Sequence, residues 1–166
     1  MKKDNISLSS SVRLELYHPK YDEILNQFSL PEEQVTFTAL PKEMLKEIEK
    51  NQNETSIVIT ADSVPVGFFV LHAGDRVKEY TDHPHSLLLI AFSIDYYQQG
   101  KGYAKKGLSL LHDFVSKHFP TTDEIVLAVN MKNIAARQLY EKIGFQDRGG
   151  RKMGPKGEQL ILHLSL

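Results

Sequence analysis

Ser86-Leu-Leu-Leu-Ile-Ala-Phe-Ser-Ile94 and, three residues later, Gln98-Gln99-Gly100-Lys101-Gly102-Tyr103-Ala104-Lys105 carry the reading of this chain. The first stretch is a near-continuous apolar run, the pattern of a central strand covered on both faces. The second turns the chain into a helix over Tyr103 to Phe119, whose Leu108, Leu111, His112 and Val115 share one stripe and which Pro120 stops. Glycines let the backbone approach a ligand closely, and the unsatisfied N–H groups and dipole of a helix start favour an anion such as a phosphate or pyrophosphate. Lys101, Lys105 and Lys106 add positive charge there. A tight strand-to-helix turn with no ligand also uses two glycines. The dinucleotide fingerprint is incomplete, because Lys105 stands where its third glycine belongs, and no P-loop Gly-Lys-Ser/Thr follows.

Working outward, Val12 to Tyr17 alternates apolar and charged residues as a half-buried strand does. Helices are predicted over Tyr21 to Phe28 and over Pro41 to Lys50, with a break or a fresh helix start at Leu30 to Glu33. Thr55 to Thr60 and Val66 to His72 read as a hairpin turning at Asp62 to Pro65. Gly74 to Pro84 is polar and reads as a mobile surface loop. Beyond the long helix, Glu124 to Val129 is a buried strand, and Ile134 to Ile143 is a helix with Gly144 where a left-handed cap belongs. Phe145 to Arg148 and Gln159 to Leu164 supply two last strands, with Gly149, Gly150, Gly154, Pro155 and Gly157 between them. The order predicts one α/β (α+β) domain across residues 1–166, with a mixed sheet of about seven strands and about four helices. No repeat or linker divides it.

Composition narrows the function classes. Twenty Lys+Arg against 21 Asp+Glu leave no basic excess of the kind nucleic-acid-binding domains carry, so no nucleic-acid partner is expected. With no cysteine, disulfides, thiolate metal sites and a cysteine nucleophile are excluded, and any thiol chemistry must arrive with a cofactor. His83 and His85 are too few for a metal site, so no metal is expected. The longest apolar run, Leu87 to Phe92, is too short to span a membrane, and Met1 to Asn5 is not followed by an apolar signal core. A cytoplasmic protein without a membrane partner is the expectation.

A second segment, Asn133-Ile-Ala-Ala136-Arg-Gln-Leu139-Tyr140-Glu-Lys-Ile-Gly144-Phe145, opens just past a strand. Read alone, Asn133 suits a helix N-cap and Tyr140 a core position. Together the two segments resemble the GNAT N-acetyltransferase superfamily. Gln99-x-x-Gly102-x-Ala104 after a buried strand is similar to its acyl-CoA-binding motif, and Asn133-x-x-Ala136-x-x-Leu139-Tyr140-x-x-x-Gly144-Phe145 to its second signature, over Leu87 to Phe145.

The resemblance implies direct transfer of an acetyl group from acetyl-CoA to a primary amine, in a V-shaped gap where the fourth strand splays from the fifth. It implies that the backbone of Phe92, Ser93 and Ile94 holds the pantetheine arm, with an N–H near Ser93 or Ile94 polarising the thioester carbonyl. It puts the pyrophosphate on the turn formed by Gln99, Gly100, Lys101, Gly102, Tyr103, Ala104 and Lys105, and brings Asn133 and Ala136 to the arm from the far side. Tyr140 matches the family's general acid, and a phenol with a pKa of about 10 keeps its proton at neutral pH to give to the departing thiolate. The base has no obvious holder. Positions that often carry the family's glutamate read Leu88, Ile90 and Ala128, and Glu124 is expected outside the cleft. Either a water chain reaches a loop residue, or the acceptor is an amine of low pKa. Glu32, Glu33, Glu79 and Asp82 either line an acceptor cleft or are solvated surface charges.

A small-molecule amine is the preferred acceptor, set by the first helices and by the segments Gly74 to Pro84 and Arg148 to Gly157. A protein N-terminal acetyltransferase and a non-catalytic acyl-CoA-binding or regulatory domain stand as alternatives. Edge strands and the apolar C-terminus (Leu160, Leu162, Leu164, Leu166) allow a homodimer without requiring one.

Overall fold

The computed structural model describes residues 11–48 and 51–166. The N-terminal stretch Met1 to Asn5 and the expected helix end at Glu49 and Lys50 lie outside the described residues.

Seven strands form one sheet in the order β1-β2-β3-β4-β5-β7-β6. They are β1 (Val12–Leu16), β2 (Glu54–Ala61), β3 (Val64–His72), β4 (Ser86–Ile94), β5 (Glu124–Asn130), β6 (Gln146–Gly154) and β7 (Gly157–Ser165). Every neighbouring pair is antiparallel except β4 and β5, which are parallel. The β2–β3 hairpin turns on Asp62 and Ser63, both at positive φ (50° and 71°), the backbone that matches the twist of flanking strands.

Six α-helices lie among the described residues, against about four expected: α1 (Asp22–Leu25), α2 (Glu32–Val35), α3 (Pro41–Ile48), α4 (Tyr103–Ser109), α5 (Leu111–His118) and α6 (Ile134–Ile143). One addition is the single turn α2, a fresh helix start, one of the two readings of Leu30 to Glu33. The other arises because the long helix is interrupted at Leu110. Ser109 Oγ donates to the Lys105 carbonyl at 2.7 Å, a back-bond that bends helices. In α3, Pro41 opens the helix and Glu43 reaches back to accept from the Leu40 N–H at 3.1 Å.

The sheet has a different core on each face. On one, Leu87, Leu89, Ile125, Leu127, Leu160 and Leu162 pack with Leu108, Leu111 and Val115 of α4 and α5 and with Tyr140 of α6. On the other, Val58, Phe68 and Val70 meet Tyr21, Leu25 and Phe28, while Leu88, Val126 and Ile161 meet Val77. Each fully buried side chain of this kind contributes roughly 1.5–3 kcal/mol.

Three expectations change here. Gly74 to Pro84 is not simply a loop: it holds a 3-10 helix, Asp75–Glu79, pinned to the sheet by buried Val77. Gly149 to Gly154 is not a connection but continues edge strand β6 beyond Arg148, bulged where Gly149 adopts φ +93°. Leu160 and Leu162 are buried in the chain's own core, with Leu164 and Leu166 packed against it, because β7 is an interior strand. That stretch is therefore not a free apolar surface for a second copy.

Candidate active site

β4 and β5 share only three register pairs, Ser86↔Glu124, Leu87↔Ile125 and Leu88↔Val126. Beyond them the strands part, and a cavity of about 500 Å3 opens between Leu89–Ile94 and Leu127–Asn130. A bulge in β4 accompanies the parting. Phe68 pairs with Ser93 and Val70 with Ile90, so Ala91 and Phe92 together oppose Phe69. Ala91 sits at φ +56°, a left-handed conformation that costs an alanine about 1–2 kcal/mol. Bulges bend and twist the strand that carries them, which turns the end of β4 away from its parallel neighbour.

Along this open edge the polar groups are unevenly satisfied. Thr38 Oγ1 donates to the Phe92 carbonyl at 3.2 Å, and Gln99 Nε2 to the Ile94 carbonyl at 2.9 Å. Gln99 also exchanges amide hydrogen bonds with Gln34 of α2, at 2.8 and 3.2 Å. Ser93 lines the cavity, and its buried Oγ has no hydrogen-bond partner among the described residues.

At the cavity's end lies the glycine turn. Gly100 and Gly102 adopt φ +79° and +82°, and a Cβ placed on either meets nothing within 4 Å. The space in front of both is open. No side chain caps α4, and the Lys106 N–H donates to the Gly102 carbonyl at 3.0 Å. Tyr103 and Ala104 line the cavity beside the glycines. Lys101 and Lys105 do not; both are exposed, and Lys101 Nζ donates to Gln98 at 3.2 Å.

α6 forms the facing wall. Asn133 is the helix N-cap, accepting from the Ala136 N–H at 3.3 Å, and both residues also line the cavity. The structural and binding readings of Asn133 are therefore compatible. Tyr140 is buried, and its place is fixed by the helix end. The Phe145 N–H donates to the Tyr140 carbonyl at 3.0 Å and the Gly144 N–H to the Glu141 carbonyl at 3.1 Å, with Gly144 at φ +121°. This is a Schellman ending, and its usual apolar contact is made by the Phe145 ring, 5.6 Å from that of Tyr140. Phe92 stands edge-on to Tyr140 at 6.2 Å. The Tyr140 hydroxyl makes no hydrogen bond to the described residues, and burial pushes its pKa above the ordinary phenol value.

The cavity's charge is one-sided: among the described residues its charged lining is Arg76 and Lys156, with no carboxylate. Glu32, Glu33, Glu79, Asp82, His83 and His85 all lie elsewhere. Glu79 pairs with Lys152 at 3.2 Å, and His83 hydrogen-bonds Asp123. Glu124 sits at the closed end of the β4–β5 seam. It accepts from Ser86 at 2.8 Å, Thr81 at 3.0 Å and Arg148 at 3.0 Å, and His163 lies at 3.4 Å. Burial alone would raise its pKa, but the Ser86 and Thr81 hydrogen bonds and the nearby histidines outweigh that and hold it below the ordinary value.

The acetyltransferase (GNAT) family model matches residues 21–145. The chain belongs to the GNAT family. It is 46% identical over 157 residues to the uncharacterized N-acetyltransferase YbbJ of Bacillus subtilis (strain 168), covering 94% of this chain and 98% of that protein. Among solved structures it resembles aminoglycoside acetyltransferase AAC(6')-Ib bound to coenzyme A and kanamycin, with a TM-score of 0.72 and 22% identity over 93% of this chain and 95% of the other. It resembles as well the ribosomal L7/L12 alpha-N-protein acetyltransferase RimL, with a TM-score of 0.72 and 14% identity over 96% and 92%. This GNAT chain is accordingly an acyltransferase, an N-acetyltransferase by family, and its splayed seven-stranded sheet is the GNAT fold.

Several lining residues carried no signal in the GNAT chain's sequence. Ala91 sits inside an apolar run that reads as plain strand, and a bulge depends on register with β3. Thr38 and Gln34 reach the site only because α2 folds over the end of β4. Arg76, Asn130 and Lys156 come from three separate segments that tertiary packing brings to one cavity.

Proposed function

We propose that this protein transfers the acetyl group of acetyl-CoA to the primary amine of a small molecule, in the cleft between β4 and β5, with Tyr140 as general acid. The observation that carries the reading is the buried Tyr140 hydroxyl, unbonded to the described residues, on a residue that lines the same cavity as the bare glycine turn. These features fit an extended acyl-CoA. Open space before Gly100 and Gly102 suits a pyrophosphate held by backbone N–H groups, and the gap between the parted β4 and β5 suits the arm. Phe92, Ser93, Ile94, Asn133 and Ala136 hold the arm. Gln99, Gly100, Gly102, Tyr103 and Ala104 hold the phosphates, with Lys101 and Lys105 contributing field from outside the lining.

The bound thioester supplies an activated acetyl carbon, so the amine's C–N bond forms as the C–S bond breaks. Ser93 or Ile94 N–H in the bulged edge steadies the carbonyl oxygen as charge builds on it. Tyr140 gives its hydroxyl proton to the leaving sulfur and is reprotonated, through water, by the proton that the amine nitrogen sheds as the amide forms. Its raised pKa keeps it protonated at all working pH values, which suits a donor and excludes it as the base for the amine. Phe92 and Phe145 fix the ring so that the proton is delivered to one place.

The relatives of this fold include proteins named for aminoglycosides and for a ribosomal protein, so the fold alone does not choose the acceptor. A cavity of about 500 Å3 is in the range of small-molecule sites and supports a small amine here. The test is release of free thiol from acetyl-CoA across a panel of amines, paired with calorimetric CoA titration. Amine-dependent release that falls in Tyr140→Phe while CoA affinity holds is the expected result. CoA binding with no release for any amine, and no change in Tyr140→Phe, would identify a binding domain instead.

A further inference from the structure

The reading above leaves the acceptor's chemistry and the missing base unexplained, and the cavity's charge bears on both. Resting on that reading, we infer that the acceptor is an amine carrying an anionic group, a carboxylate or a phosphate, which Arg76 and Lys156 bind on the sheet face opposite α4–α6.

Alternation along the strands sets the face. Leu87, Leu89, Leu127, Val129 and Leu160 point to the α4–α6 side. Leu88, Val126 and Ile161 point the other way, against Val77. Arg76 directly precedes Val77 on the 3-10 helix that packs on that second face. Asn130 is even-numbered with Val126 on β5, and its Nδ2 donates to the Lys156 carbonyl at 3.1 Å, tying the β6–β7 turn to that side. The glycine turn and Asn133 open α4 and α6 on the first face. The two cations therefore sit across the sheet from the phosphate cradle and are not placed to serve it.

Both cations are free to bind. Neither side chain has a hydrogen bond or ion pair to the described residues, whereas nearby Lys78 and Lys152 are paired with Asp75 and Glu79. With no carboxylate in the lining, a polycation such as a polyamine or aminoglycoside meets only like charge. An anionic amine meets complementary charge. The same field also addresses the base: positive neighbours disfavour an ammonium and lower the acceptor's amine pKa, so a larger fraction arrives neutral without a glutamate to take the proton.

The experiment compares kcat/KM for matched acceptors on the full-length enzyme. Glutamate and a dipeptide are set against their methyl esters, phosphoethanolamine against ethanolamine, and spermidine and kanamycin serve as polycations. The expected result is a preference of about tenfold or more for the anionic member of a pair. Whether the carboxylate or the phosphate pair shows the larger ratio identifies the group. Arg76→Gln and Lys156→Gln each erase that ratio through KM for the acceptor, leaving KM for acetyl-CoA and calorimetric CoA affinity unchanged, and Arg76→Lys restores part of it. Polycations preferred, equal rates within each pair, variants that depress all acceptors alike, or no anionic amine acetylated would each overturn the inference. If CoA fails to bind in the calorimeter, the acetyl-CoA reading itself falls. CoA binding with the wrong acceptor order overturns only the charge inference.

Discussion

The two halves of the β4–β5 seam are made from the same pair of strands and do opposite things. At the closed end, three register pairs bring Glu124 beside Ser86, and this one carboxylate gathers the polar groups: Thr81, Ser86 and Arg148 donate hydrogen bonds to it, and His163 Nδ1 lies at 3.4 Å. At the open end, a bulge holds Ala91 at positive φ, and neither Ser93 Oγ nor the Tyr140 hydroxyl has a hydrogen-bond partner among the described residues. The closed end is organised by a carboxylate, and among the described residues the open end has none. The closed end acts as the clasp that allows the rest of the seam to stay apart.

Four substitutions test that contrast. The largest effect is expected at the open end from Gly102→Val. A branched side chain at φ +82° fills the space in front of the turn and should weaken CoA binding by about 3–4 kcal/mol, a few hundred-fold, in calorimetry. Unfolding should remain cooperative, since no core is removed. Unchanged affinity would move the phosphates elsewhere.

Tyr140→Phe comes next, with kcat lower by about 100-fold and CoA affinity unchanged. Because the phenol's pKa is raised, the wild-type pH–rate profile should show no alkaline limb that vanishes in this variant; such a limb would mean the tyrosine titrates in the working range.

At the closed end, Glu124→Gln should cost about 2 kcal/mol in urea unfolding, through the loss of charged hydrogen bonds. Here the sign of the pH effect is testable. Glu124 has a folded pKa below the reference 4.5, so its ionised form stabilises the fold above that value, and the contribution is lost as pH falls through the lower folded pKa. Wild type should therefore lose stability in acid more steeply than Glu124→Gln. Parallel curves would show that the clasp is not held by this carboxylate.

The smallest effect is a gain. Ala91→Gly relieves the left-handed alanine and should stabilise the protein by about 1 kcal/mol in thermal or urea unfolding, provided the bulge persists. A loss instead would show that the extra freedom glycine brings to the unfolded chain and to the bulge outweighs the strain.

Much of this was legible in the sequence because its signals are local. The apolar run Ser86–Ile94, the two glycines, Asn133 as a cap and Gly144 as a stop are each set by one or two neighbouring residues and by backbone sterics. The divided long helix was missed because Ser109 signals only a side-chain back-bond, which leaves no mark in hydrophobic periodicity. β6 was read short because its residues are largely exposed and glycine-containing, and an edge strand with a bulge lacks the clean alternation of a half-buried one.

Taken alone, the amino-acid order determined the seven strands and their order along the chain, the family, the glycine turn after β4 and the position of Tyr140 one helical turn before a glycine cap. These follow from spacing along the chain, where helix and strand periods and glycine's freedom act over a few residues. Tertiary structure decided the parting of β4 from β5, the capture of Glu124 at the clasp, the orphaned Ser93 hydroxyl and the meeting of Arg76 with Lys156 in one carboxylate-free cavity. Each of those depends on register and burial between segments tens of residues apart, and desolvation and charge complementarity exist only once those segments have packed.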